Sequence, residues 1–170
     1  MTDCVIRAMV DTDVDELDQA FCKQGWHARK QQLQLYLQEQ KEGVRRVFVA
    51  TWQGHVAGYL TLRPAAAAGP FQGEKIPEVS DFNVLQAYQR RGIGAMMMDT
   101  VEKAVAETCD RISLGVGLHA GYGTAQRMYV KRGYIPDGSG VWYRDARLQP
   151  YTACENDDDL VLYLSKRLKV

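Results

Sequence analysis

The stretch Gln89-Arg90-Arg91-Gly92-Ile93-Gly94-Ala95 lies between an extended segment and a helix-forming run, and no other part of the chain restricts its fold and chemistry as much. Two glycines this close together free the backbone from Cβ interference. A helix that starts here offers unpaired N–H groups and the positive end of its dipole. Such a turn is a cradle for an anion, and Arg90 and Arg91 add fixed positive charge. The pattern is not G-x-x-x-x-G-K-[ST], so a nucleoside triphosphate with bound magnesium is not expected, whereas a pyrophosphate without metal is.

At 170 residues the chain fits one domain, spanning 1–170, and needs no disulfide or metal staple. Its 21 basic and 21 acidic side chains cancel, which argues against a nucleic-acid coat. The Arg45-Arg46 pair reads as solvated surface. Cys4, Cys22, Cys109 and Cys154 are far apart with no C-x-x-C pair, which points to a reducing compartment and no metal site. The N-terminus lacks the apolar core of a signal peptide, and no run approaches the roughly 18 apolar residues that span a membrane. A cytoplasmic protein with no membrane partner is expected.

Hydrophobic spacing gives a coarse map. Cys4 to Met9 reads as a strand; Asp11-Thr12-Asp13 supplies cap chemistry for a helix carrying Val14, Leu17 and Phe21 and ending near Gly25. A second helix from Ala28 to Glu42 places Leu33, Tyr36 and Leu37 on one face. Val47–Trp52 and Val56–Leu62 make a hairpin around Gln53-Gly54-His55. Ala65 to Pro70 reads as a mobile loop, and Ile76 to Val84 as a strand that admits Pro77 only near its start. A long helix follows from Ile93, then a strand at Ile112–Val116 and a helix at Thr124–Lys131. Tyr134-Ile135 begins an extended piece, and the last two strands are Val141–Tyr143 and Leu160–Leu164. The expected fold is α/β (α+β): a mixed, mostly antiparallel seven-stranded sheet with helices on both faces.

With the elements in this order, the chain resembles the GNAT superfamily of acyl-CoA-dependent N-acetyltransferases. The Gln/Arg-x-x-Gly-x-Gly/Ala signature of that family is matched by Gln89, Gly92 and Gly94. The resemblance extends to Glu78-Val79-Ser80-Asp81-Phe82-Asn83-Val84 and to Ala125-Gln126-Arg127-Met128-Tyr129-Val130-Lys131-Arg132-Gly133-Tyr134. It implies that two central strands splay and that acetyl-CoA, a co-substrate used without metal, fits between them. Backbone groups of Phe82, Asn83 and Val84 would meet its pantetheine, and amides of Arg90, Arg91, Gly92, Ile93, Gly94 and Ala95 its pyrophosphate. Gln89 belongs to the same cradle, the arginine side chains would reach the 3′-phosphate, and Gln126 is a substitute cofactor contact. Where many members carry Asn, seven residues before the tyrosine, this chain has Tyr122.

The chemistry can be built from the residues. An alkyl ammonium with a pKa near 10 is about 99.9% protonated at pH 7, so attack on a thioester needs a proton acceptor. Glu78 occupies the strand position where several members keep their base; Asp81 or a water chain is the alternative. Strand alternation sets Glu78 on the side of Ser80, Phe82 and Val84 unless a bulge changes the parity. Tyr129 matches the tyrosine that members place near the thioester sulfur, where it protonates the departing thiolate. The Val84 amide is the expected holder of the thioester oxygen. The amine attacks directly, without an acyl-enzyme, so the chain is expected to be an acyltransferase transferring groups other than aminoacyl groups.

Gly115-Val116-Gly117-Leu118-His119-Ala120 imitates a dinucleotide fingerprint, but Gly121 interrupts the helix that the motif requires, and Asp137 lies in a Pro-Asp-Gly turn. Cys22, Cys109, His27 and His55 form no convincing pair; His119 is kept in reserve. Met96-Met97-Met98 reads as helix packing. The resemblance assigns acceptor selectivity to Phe21–Ala28, Ala65–Lys75 and Val141–Asp159, where Trp26, Trp142 and Tyr143 would form aromatic walls; Glu155 and Asp157-Asp158-Asp159 either attract a cation or, as charge runs usually do, form a solvated acidic loop. The acceptor is a small-molecule or peptide amine, and the resemblance allows a homodimer through the C-terminal strands. The rival reading is a non-catalytic acyl-CoA-binding regulatory or interaction module on the same fold.

Overall fold

A computed structural model describes residues 3–168, so the one-domain span of 1–170 runs past the described residues by two at each end. In chain order the elements are β1 (Cys4–Ala8), α1 (Asp11–Lys23), α2 (Lys30–Lys41), β2 (Arg46–Trp52), β3 (His55–Arg63), β4 (Glu78–Val84), α3 (Ile93–Ala106), β5 (Arg111–Gly117), α4 (Gly123–Lys131), β6 (Ile135–Tyr143), β7 (Ala146–Arg147) and β8 (Leu160–Arg167). The strands form a mostly antiparallel sheet in the order β1-β2-β3-β4-β5-β8-β6-β7, in which β4 and β5 are parallel. Eight strands replace the expected seven because β7, a two-residue return of β6, is too short for periodicity to reveal. The two extended pieces expected around Tyr134 and Val141 are one strand, β6, whose pairing with β8 breaks between Pro136 and Val141.

Close contacts group the residues into two units. The first holds the chain up to Arg63 together with Ser80–Ala104; the second holds Pro64–Val79 and the chain from Val105 onward. Strand β4 therefore gives Glu78 and Val79 to one unit and Ser80–Val84 to the other.

In the first unit the N-cap of α1 is Val10, one residue before the Asp11-Thr12-Asp13 run. Asp13, almost fully buried, accepts the Val10 N–H at 2.8 Å and pairs with both guanidinium nitrogens of Arg7 at 2.6 and 2.8 Å. The apolar faces of the two helices meet the hairpin as expected. Val14, Leu17, Phe21, Leu33, Tyr36 and Leu37 pack with Val47, Val49, Val56 and Tyr59 in one buried cluster. Met97 and Met98 are also fully buried.

Arg45 corrects the solvated-surface expectation. It is 5% exposed and its Nε donates to Glu39 at 2.5 Å, while Nη1 reaches Thr61 Oγ1 at 2.9 Å and Ser80 Oγ at 3.1 Å. Its guanidinium also lies over the Tyr36 ring at 4.4 Å. A buried arginine is tolerated because a carboxylate and two hydroxyls replace its water. Arg46, next to it, stays exposed over Phe48.

Gly58 on β3 is required by close approach: a Cβ there would lie 2.4 Å from the Asn83 carbonyl oxygen. Gly58→Ala must push β3 and β4 apart, and a thermal melt is expected to show a loss of about 1–3 kcal/mol.

In the second unit β4 begins at Glu78 rather than Ile76, since Pro77 has no N–H to give a ladder. The Pro77 carbonyl instead accepts the Ser113 N–H at 2.9 Å. The segment Ala65 to Pro70, expected to be a mobile loop, is irregular, but its Ala66 is buried with Tyr163 and with Phe71 and Ile76 from the residues that follow, and Trp142 and Val161 pack against this cluster. After β5 the chain enters a short 3-10 turn, Ala120–Tyr122, and not the helix that a dinucleotide fingerprint needs. No helix among the described residues is long and apolar enough to cross a membrane.

Candidate functional site

The glycine loop of the first unit folds as its composition demands. A 3-10 turn at Gln86–Tyr88 ends β4, and Arg90 and Gly92 follow with φ of 60° and 79°. Left-handed residues alternating with ordinary ones turn successive N–H groups toward one concavity, the geometry of a backbone anion nest. The Met96 N–H closes the first helical bond on the Gly92 carbonyl at 3.0 Å, so the amides of the intervening turn belong to the open end of α3. The first turn of α3 has no acidic side chain to neutralise the positive end of the dipole. A Cβ at Gly92 would meet no atom within 4 Å, so its left-handed φ, not crowding within the protein, calls for glycine here.

The side chains of the loop also make contacts within the protein. Gln89 donates its side-chain amide to the Val84 carbonyl at 3.1 Å, tying the cradle to the end of β4. Arg91 lies over the rings of Trp52 and Tyr88, at 5.1 and 5.9 Å, and its guanidinium is committed to that aromatic pair. Arg90 is exposed.

Strand β4 carries a backbone irregularity where the strand reading allows for one. Asp81, in the middle of β4, has φ of 47°, so the alternation that groups Glu78 with Phe82 and Val84 stops at Ser80. Pairing of β4 with β5 covers only Glu78 opposite Ser113 and Val79 opposite Leu114, although β4 runs to Val84 and β5 to Gly117. Asp81 does not present a free carboxylate: Arg29, Tyr36, Tyr59 and Asn83 all donate to it.

In the second unit Glu78 is 9% exposed at the head of β4. Tyr163 has its hydroxyl pKa pushed up to about 12, first by burial and then by the charges of Glu78 and Asp145. Tyr129 on α4 is 6% exposed, and burial, with a smaller contribution from Tyr122, holds its hydroxyl pKa well above that of an ordinary phenol. It therefore stays protonated at neutral pH. Gln126 spends its amide on the Gly117 carbonyl at 2.8 Å, which fastens α4 to the end of β5.

Tyr122 donates to Asp158 at 2.9 Å, and the same carboxylate oxygen is bonded to His119 Nε2 at 2.9 Å. The Gly121 N–H donates to His119 Nδ1 at 3.0 Å. The acidic run is thus partly engaged rather than wholly solvated, and sequence reasoning missed it because the partners lie 36 and 39 residues apart. Of the expected aromatic walls, Trp26 stacks on Phe21 at 5.4 Å and is 40% exposed, while Trp142 donates to Ser139 at 2.7 Å. Among the described residues no group of three or more His, Cys, Asp or Glu is placed to hold a metal ion.

No curated protein matches the chain by sequence. Similar solved structures include a GNAT-family protein from Desulfovibrio desulfuricans, with a TM-score of 0.71 at 14% identity over 98% of this chain and 99% of that one. The Salmonella typhimurium acetyl transferase that modifies the N-terminal serine of ribosomal protein L7/L12 gives 0.73 at 13% identity, over 99% and 97%. The yncA protein of the same organism, solved with its cofactor acetyl-CoA, gives 0.68 at 15% over 98% and 95%. At such identities these likenesses establish the fold. The family model described as acetyltransferase (GNAT) family matches residues 12–134, most of the chain and the whole span from α1 through α4, so this chain belongs to the GNAT acetyltransferase family.

Proposed function

We propose that the chain is an N-acetyltransferase that moves an acetyl group from acetyl-CoA to a primary amine, and that it works in the cytoplasm as one catalytic domain. The observation that carries this reading is the cradle at the start of α3, where left-handed Arg90 and Gly92 and an acid-free first turn suit a pyrophosphate. Amides of Arg90–Ala95 hold that group, and backbone groups of Phe82, Asn83 and Val84 orient the pantetheine arm. Acetyl-CoA would supply the activated thioester.

Glu78 accepts a proton from the ammonium form of the acceptor, and the amine nitrogen attacks the thioester carbonyl. The adduct nitrogen then loses its second proton, the carbon–sulfur bond breaks, and the thiolate leaves with the electron pair and takes up a proton, so that amide, thiol and one proton on Glu78 account for the starting ammonium and thioester. Because burial disfavours a phenolate at Tyr129, its main service is a hydrogen bond to the departing sulfur. A thiol of pKa near 8.5 is already a fair leaving group, so Tyr129→Phe is expected to lower kcat by no more than about 10²-fold.

Asp81 is the weaker base candidate because its oxygens are already occupied by donors. The acceptor is a peptide N-terminus or a small-molecule amine, the classes that the L7/L12-modifying transferase and a spermidine N-acetyltransferase among the structural neighbours handle. The test is thiol release from acetyl-CoA across a library of peptides, polyamines and amino acids, with calorimetry of acetyl-CoA alone. Amine-dependent release supports the enzyme. Binding without transfer to any amine favours the acyl-CoA-binding module, and absence of binding removes both.

A further inference from the structure

Asp81 is a non-glycine residue held in a left-handed conformation within a strand, and five side-chain hydrogen bonds converge on it. Arg29 donates through Nη1 to Oδ1 at 3.2 Å and through Nη2 to Oδ2 at 2.7 Å. Tyr36 and Tyr59 donate their hydroxyls to Oδ2 at 2.8 and 2.7 Å, and Asn83 Nδ2 donates to Oδ1 at 2.8 Å. The donors are themselves held. The Arg29 guanidinium lies over Phe21 and Tyr59 at 5.6 and 5.7 Å, and the Arg29 backbone N–H donates to Asp18 Oδ1 at 2.6 Å. Ser80, the preceding residue, is fixed as well: Thr61 Oγ1 donates to its carbonyl at 2.5 Å and Arg45 to its hydroxyl at 3.1 Å.

A carboxylate has about four lone-pair sites, so this one has no capacity left for a substrate ammonium or a transferred proton. What it controls is backbone conformation. A left-handed L-residue is disfavoured unless its surroundings over-determine it, and here the clamp sits immediately before Phe82, Asn83 and Val84.

We propose that Asp81, gripped by Arg29, Tyr36 and Tyr59, is a positioning residue that fixes the kink of β4 and so presents the backbone of Phe82–Val84 to the acyl-CoA arm. The α1–α2 junction, through Arg29, thereby sets cofactor affinity without touching the cofactor. This rests on the acetyl-CoA reading given above, so wild-type binding is measured first.

The discriminating comparison is Asp81→Ala against Asp81→Gly, with acetyl-CoA Kd by calorimetry, kcat at saturating acetyl-CoA and thermal midpoint. Both variants lose the carboxylate, but only glycine accepts the left-handed backbone without Cβ strain. Alanine is expected to weaken acetyl-CoA binding about tenfold relative to glycine, with kcat at saturation changed little in either. Equal Kd values in the two variants overturn the proposal. A kcat loss of the same size in both, with Kd unchanged, also overturns it and makes Asp81 the base instead. Should Asp81→Ala not fold, the Tyr36→Phe/Tyr59→Phe double variant keeps the Arg29 pair and removes two donors. Binding weakened severalfold is expected from it, and unchanged binding overturns the proposal. A wild-type chain that binds no acetyl-CoA sinks the acetyl-CoA reading itself, a result distinct from binding that ignores the clamp.

Discussion

Glu78→Gln is expected to lower kcat for amine acetylation by about 10³-fold at pH 7 while leaving acetyl-CoA affinity within about twofold of wild type. The substitution keeps the shape of the side chain and removes only its ability to take a proton. Cofactor affinity should survive because the cradle amides and Phe82–Val84 are untouched. The defect should shrink as pH rises. Below its pKa near 10.4 the free-base fraction of an alkyl amine rises about tenfold with each unit increase in pH, so the variant gains the nucleophile that the wild-type carboxylate otherwise generates. A pH–rate profile of the variant that climbs about tenfold per unit between pH 7 and 9, against a flatter wild-type profile, supports the role. Turnover equal to wild type at pH 7 removes Glu78 as the base, and an equally flat profile in both proteins removes the proton-acceptor account altogether.

Glu39→Ala is expected to cost about 3 kcal/mol of stability, a fall in Tm of roughly 6–12 °C for a chain of this length. The Arg45 side chain is 4% exposed, and Glu39 is its only salt-bridge partner identified among the described residues. Removing the carboxylate leaves a guanidinium in the interior with two hydroxyls and a ring but no counter-charge. A double variant, Glu39→Met with Arg45→Met, should recover part of the loss because neither charge is then stranded. Thermal and urea melts of the three proteins check this. A single variant within about 0.5 kcal/mol of wild type would show that water reaches Arg45 despite its burial.

Elements with a strong periodic signal were legible in the residues alone. The apolar spacing of Val14, Leu17 and Phe21 and of Leu33, Tyr36 and Leu37 describes the buried faces of α1 and α2, and the glycine loop opens α3 where its pattern places it. Features that depend on a single strained or proline-limited position were shifted. The late start of β4 at Glu78 and the left-handed Asp81 each alter one strand without altering hydropathy, and β7 is too short to carry a period. The glycine turn was readable because it is local: glycines, a helix start and the preceding turn are contiguous. The clamp on Asp81 was not, because its donors come from 22, 45 and 52 residues away.

By itself, then, the sequence determined the family, the order of elements and the glycine turn that opens α3, all of which arise from neighbouring residues and short-range backbone preference. Only the tertiary structure decided which charges are buried and matched. Arg45 and Asp81 look like any other surface arginine and aspartate until the fold brings Glu39, Thr61 and Ser80 to one, and Arg29, Tyr36 and Tyr59 to the other. The interior tolerates a charge only when such distant partners replace its water, and that condition is written in no single stretch of chain.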